Sequence, residues 1–260
     1  MRLAFRPTTP ADFRAGLAII RDRFVYDEAA QERLLDLWSE VLGHRSGVSD
    51  VVEDLDRPPA SRIVGFGLNV FVSDEFVREA KTTLPPYMGR NLLERWACGV
   101  SPILRPESIR RANDGDGLNV LTLHYGFHEW GYAAEEIVMI STMLLQSSLP
   151  AHRGYRLKEV LIEAYGEQEF SILLNAGLSL RTDYASTFSH TEQVVDPDRR
   201  AYLCGATRQE ALGRHGTFAA TFLLPASSPR FGFADRERNS FAMRWMEPPM
   251  RSWRGCSFSP

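Results

Sequence analysis

Cysteine is scarce in this chain: Cys98, Cys204 and Cys256 are the only three among 260 residues. They are far apart, odd in number and without the paired spacing of a metal site, which suggests a reducing cytoplasm. Long apolar runs are absent too; nothing approaches the ~20 residues of a membrane span. Residues 1–7 carry no signal-peptide core. There is little excess of one charge. A net charge of -3 and a pI near 6.1 give no global bias toward nucleic acid, so any DNA contact needs a local basic patch. Internal repeats and low-complexity segments are missing as well. What is present, 44% hydrophobic and 24% charged residues, is the composition of a soluble globular protein, long enough for one large domain plus an appendage.

The pattern is clearest across residues 118–184. Residues 118–125 alternate apolar and polar side chains before Gly126, as a half-buried strand does. Residues 133–149 are an apolar-rich run with Glu135 and Glu136 at its start and Pro150 beyond it, which predicts a helix. A second strand at 158–165 is closed by Gly166. A short helix follows at 167–175, with Ile172, Leu173 and Leu174 inward and Gly177 as a left-handed stop. Residues 178–184 alternate again. Strands separated by helices of this length imply an α/β layer architecture with helices on both sheet faces.

Elsewhere, residues 2–6 read as a strand, and Thr9, Pro10 and Asp12 as the start of a helix bearing Phe13, Leu17, Ile20 and Phe24. A second helix spans about 27–42. The polar stretch 47–57, with Pro58 and Pro59, reads as a surface loop. Residues 63–72 form a strong strand whose Gly65 and Gly67 suggest close approach of another backbone, or a bulge. Helices are expected at 74–81 and 90–97, with irregular chain around them up to Pro106 and a turn at 113–117. Past Tyr184, residues 201–205 and 218–224 read as strands and 208–212 as a short helix.

The 118–184 block resembles the second half of the GNAT N-acetyltransferase fold, through its order of elements and through "NAGLSLRTDY" at 175–184; "RPTTPADF" at 6–13 is also how many such domains begin. The resemblance implies a strand opening onto a helix that receives acetyl-CoA, with the cofactor pyrophosphate held by backbone N–H groups at that helix N-terminus. The matching loop is His128, Glu129, Trp130, Gly131, Tyr132, Ala133, so His128, Gly131, Tyr132 and Ala133 are the candidate cofactor-binding residues. Gly131 and Ala133 keep the small residues. His128 stands where glutamine or arginine is usual, and Glu129, Glu135 and Glu136 crowd the anion site, each at a cost of about 1 kcal/mol.

No catalytic residue is assigned. Where the family places a tyrosine, four residues before the glycine of the turn, this chain has Leu173, which transfers no proton. Tyr125, Tyr165 and Tyr184 have no assigned place. Glu163 and His124 are the candidate bases; both also read as ordinary residues, a solvated glutamate and a hydrogen-bonded core histidine. The His124/His128 pair leaves a strand through Gly126, so it lacks the helical geometry of a zinc pair, and no metal is assigned. The aromatics Tyr125, Phe127, Trp130 and Tyr132 read as a packed lid.

From residue 238 onward all periodicity is lost, with Trp245, Trp253, Met243, Met246 and Met250 among prolines and arginines. That composition fits a message read out of frame. A shifted frame can encode a helical stretch that resembles the start of a LuxR-type helix-turn-helix module, with residues 231–238 as its lead-in. The expected division is a GNAT-like domain at 1–233 and an irregular tail at 234–260. The first expectation is therefore a ligand-sensing or regulatory domain of a LuxR-type transcription regulator, without transferase activity and with no cofactor. It would take a small-molecule ligand, form a homodimer, sit in the cytoplasm away from membranes, and reach DNA only through an intact module that this chain lacks. The alternative is an acyl-CoA-dependent N-acetyltransferase with an atypical pyrophosphate loop, using acetyl-CoA or another acyl-CoA.

Overall fold

The computed structural model describes residues 2–21, 27–128, 132–133, 136, 140, 150–184 and 200–213. The chain starts with β1 (Leu3–Pro7), then α1 (Phe13–Arg21) and α2 (Glu28–Gly43). Next come β2 (Gly47–Asp54), β3 (Ile63–Val72), α3 (Asp74–Thr82), α4 (Met88–Ala97) and α5 (Pro106–Asp114). The central strand β4 (Leu118–Phe127) precedes β5 (Leu157–Tyr165), α6 (Glu167–Asn175), β6 (Ser179–Asp183), β7 (Ala201–Thr207) and α7 (Arg208–Gly213). The strands form one mixed seven-stranded sheet in the order β1-β2-β3-β4-β5-β7-β6.

Period-two alternation sorts each strand's side chains between two cores. Val51, Phe66, Leu68, Val70, Leu121 and Leu161 face α1, α2, α3 and α4, whose Phe13, Leu17, Trp38, Phe76 and Leu92 complete that core. Val48, Phe71, Val120, Val160 and Cys204 face the other way, against Ile109 of α5, Phe170 and Leu173 of α6 and Ala211 of α7. Helices thus cover both faces, as the alternation of strands and helices requires.

Local signals held where the chemistry was strong. Asp27 caps α2 through a carboxylate that accepts from the Ala30 N–H at 2.6 Å. Gly177 adopts a φ of 91° after α6, and the Leu178 N–H reaches the Leu173 carbonyl at 3.1 Å, closing a left-handed stop.

Two expectations need correction, and one helix lies where none was expected. The stretch read as a surface loop at 47–57 is mostly strand β2, paired with both β1 and β3. Its polar residues misled because the fold satisfies them: the Ser49 hydroxyl bonds to Thr8 Oγ1 and to the Gly67 carbonyl, both at 2.8 Å, and Arg153 donates to buried Asp50 at 2.5 Å. Helix α5, opened by Pro106 at a position where a missing N–H costs nothing, went unread behind the proline-rich run. Leu174, expected inward, is exposed, because α6 is short and turns only one stripe to the sheet. Most of the helix expected at 133–149, the strand expected at 218–224 and the whole tail at 234–260 lie outside the described residues.

Candidate functional site

The site begins where β4 and β5 part. Their parallel pairing runs from Leu118 opposite Leu157 to Thr122 opposite Ile162. Beyond it β4 stays paired with β3 as far as Phe127 opposite Gly65, and β5 stays paired with β7 as far as Tyr165 opposite Ala201. Beyond Thr122 and Ile162 the strands at 123–127 and 163–165 are no longer paired with each other, so an opening is left inside the sheet. At the same level the register between β3 and β4 shifts, Leu68 facing His124 while Asn69 faces Thr122. Leu123 is the extra residue of this bulge, which turns both Leu123 and His124 toward the side of α4.

Glu163 lies on that side of the opening. Its carboxylate accepts from the Tyr87 N–H at 2.9 Å, the Met88 N–H at 2.7 Å and the Tyr165 hydroxyl at 2.8 Å. Tyr87 precedes α4 in the left-handed conformation, φ 72°, which costs a non-glycine residue on the order of 1–3 kcal/mol. That strained residue is what aims the first amides of α4 at Glu163. The Tyr87 and Tyr165 rings stack on each other with centroids 5.7 Å apart. The Tyr184 hydroxyl donates to the Ala80 carbonyl nearby.

The electrostatics follow from this enclosure. Burial lifts the Glu163 carboxyl to about 7, against the three donors that pull the other way. Burial, then the Glu163 charge, pushes the Tyr87 hydroxyl up to about 12, and both raise Tyr184 further. The expectation of a solvated glutamate is corrected: this carboxyl is half-buried, and its hydrogen-bond partners include no cation. His124 is also corrected. It is a core residue, 4% exposed, but neither ring nitrogen has a hydrogen-bond partner among the described residues, and burial drives it down to about 3.

Of the candidate cofactor residues, His128 closes β4 with its N–H on the Val64 carbonyl at 2.8 Å. Gly131 lies outside the described residues, as do Glu129, Trp130 and Glu135. The Ala133 N–H donates to the Glu136 carboxylate at 3.0 Å, an exposed bond. An acidic side chain therefore sits on an amide that the resemblance assigns to phosphate. Tyr132 donates to Asp54 at 3.0 Å and packs with Tyr125 and Phe127 against Val52, Val64 and Ile140. Reading along the chain missed Arg57, whose guanidinium lies 4.5 Å over the Tyr132 ring and 3.6 Å from Asp54. It arrives from the β2–β3 connection, and no local pattern pairs it with residue 132.

The strand order, the parting of β4 from β5 and the β5–α6–Gly177–β6 succession make this a GNAT-like α/β fold. No family model and no curated protein matches the chain. Among solved structures, NAA60 of Arabidopsis thaliana with a bisubstrate analogue is 18% identical at a TM-score of 0.49, covering 79% of this chain and 98% of its own. The spermidine/spermine N-acetyltransferase SpeG of Vibrio cholerae is 10% identical at 0.46, with 82% and 97% covered. The C-terminal condensation domain of Ebony, with beta-alanyl-dopamine, is 14% identical at 0.49, with 80% and 99% covered. The fold assignment rests on the strand order, not on likenesses of this size. No helix among the described residues is long and apolar enough to cross a membrane.

Proposed function

We propose that the chain is an acyl-CoA-dependent N-acyltransferase whose pyrophosphate loop departs from the usual pattern. The observation that carries this reading is Glu163: a carboxyl tuned to about 7, at the mouth of an opening in the sheet, with three neutral donors and no cation among its partners in the described residues. A base poised near the working pH is what an amine acceptor needs, since it must lose a proton before it can attack a carbonyl. Glu163 takes that proton. The Tyr165 hydroxyl and the two α4 amides orient the carboxylate, and the Tyr87 ring limits water. Acyl-CoA, when bound, supplies the activated carbonyl. The edge of β4 at 123–127 and the loop at Tyr132 and Ala133 are the residues suited to hold it, with Arg57 as the nearby cation. The capping bond from Ala133 to Glu136 is exposed, so its displacement by phosphate costs about 1 kcal/mol.

Glu136 also favours a second reading, a ligand-sensing domain in which the acidic cap excludes diphosphate altogether. Calorimetry with coenzyme A separates the two. Transfer predicts binding by the wild type and tightening of roughly fivefold in Glu136→Gln, the equivalent of about 1 kcal/mol. Absence of binding by both proteins would leave the sensing domain standing and remove the transferase.

A further inference from the structure

We infer that Trp38 and His124 form a buried niche recognising an uncharged hydrogen-bonding substituent, a hydroxyl or an amide, on the acyl group of the substrate. This rests on the transferase reading above. Trp38 is 0% exposed and its indole Nε1 has no partner among the described residues; both nitrogens of His124 share that condition. Buried polar atoms in native proteins almost always have partners, and three orphans on two touching rings are not an accident of one rotamer. The ring centroids are 5.3 Å apart with planes at 68°, an edge-on contact that brings the unpartnered nitrogens into one part of the core.

The donor set defines the group. An indole only donates, and a neutral imidazole offers one donor and one acceptor. Together they match a group that accepts and donates at once. Phe66 at 4.8 Å and Phe13 at 5.6 Å from the Trp38 ring make the surroundings apolar, where a lone charge would be strongly disfavoured. An ammonium, a carboxylate or a metal ion is therefore not the occupant.

Placement selects the acyl group. The bulge at Leu123 points His124 inward where β4 leaves β5, and β4 is the strand that runs directly into the cofactor loop. A side chain added at Gly89 would come within 3.4 Å of Leu123 Cδ1 and 4.0 Å of His124 Cε1, so the niche abuts the first turn of α4. The neighbouring residue, Met88, donates its amide to Glu163. The niche and the base thus stand on two sides of one helix start, with β4 supplying the first and β5 the second.

Water has the same chemistry, so the test distinguishes the two sources. Affinities of the full chain are measured by calorimetry for coenzyme A, butyryl-CoA and 3-hydroxybutyryl-CoA, for wild type and for Trp38→Phe, which keeps an aromatic ring and removes the donor. Wild type is expected to prefer the hydroxylated acyl group by about tenfold, the worth of one buried hydrogen bond. Trp38→Phe should bring the two within about twofold while coenzyme A binding is unchanged. Equal affinities in wild type, or a preference that survives Trp38→Phe, overturn the niche. So does a crystal structure of the 3-hydroxybutyryl-CoA complex in which an ordered water still bridges Trp38 and His124. Failure of coenzyme A itself to bind removes the transferase reading and the niche with it; binding without discrimination removes the niche alone.

Discussion

Two glutamates on one strand make the instructive comparison. Glu159 and Glu163 both lie on β5 and face the same side of the sheet. At the closed end, where β4 and β5 still pair, Glu159 is buried with Lys81 at 2.6 Å and Arg181 at 3.3 Å, and Arg181 is also paired with Glu210. Glu210 in turn accepts from the Thr207 N–H and is held down to about 2, chiefly by Arg181. Four residues on, where the strands have parted, Glu163 has the two α4 amides and one hydroxyl and no cation among those partners. The same residue type on the same strand is thus a structural tie in one place and a titrating group in the other. What differs is whether burial comes with a compensating charge.

The largest test of that contrast is Glu163→Gln, which keeps the shape and removes the base. Transfer from an acyl-CoA to an amine, followed by release of the free thiol, should fall by about 10²–10⁴-fold in kcat/KM with no loss of stability. Retention of more than a tenth of the activity would reduce Glu163 to a helix cap. Glu159→Ala should do the reverse. Removing it strips Lys81 and Arg181 of a buried partner and should cost about 3 kcal/mol in urea denaturation, the low end for a broken buried pair because Lys81 is partly exposed.

The next effect is one of pH. Glu163 titrates near 7 in the folded chain, against an ordinary value of 4.5. Between those values the folded state holds the extra proton, so this group's contribution to stability is fully present below about 4.5 and is lost as pH rises through 7. The loss is on the order of 2–3 kcal/mol. Denaturation of wild type and Glu163→Gln at pH 5 and pH 8 should show the gap moving in favour of the glutamine variant at pH 8. In wild type the transfer rate should rise with pH through the same range, since the ionised carboxylate is the working form. A gap independent of pH would show that the carboxyl is not desolvated. The smallest effect expected is Gly177→Ala, about 1 kcal/mol of thermal stability, from forcing a side chain into the left-handed stop after α6.

Much of the fold could be read without coordinates, and for identifiable reasons. Strand β3 carries its signal in an apolar run interrupted only by Asn69, α2 in the spacing of Leu34, Trp38 and Val41, and the α6 stop in Gly177. Each depends on neighbours within one turn or one strand. Strand β2 was missed because Ser49 and Asp50 are satisfied by Thr8, Gly67 and Arg153, residues up to 103 positions away. The site was legible only in part. The small residues of the cofactor loop and the glutamates around it are visible as a local motif. Nothing near residue 163 announces that a helix starting at Met88 will cap it.

The residues alone settled an α/β chain with helices on both faces of the sheet, because hydrophobic period and helix-stop chemistry act over a few positions. Tertiary structure alone decided which glutamate would be tied to cations and which would be left with neutral donors, and that His124 and Trp38 would meet without partners. Desolvation and pairing depend on what arrives from distant parts of the chain, and only the packed sheet brings β4, β5 and α4 to one point.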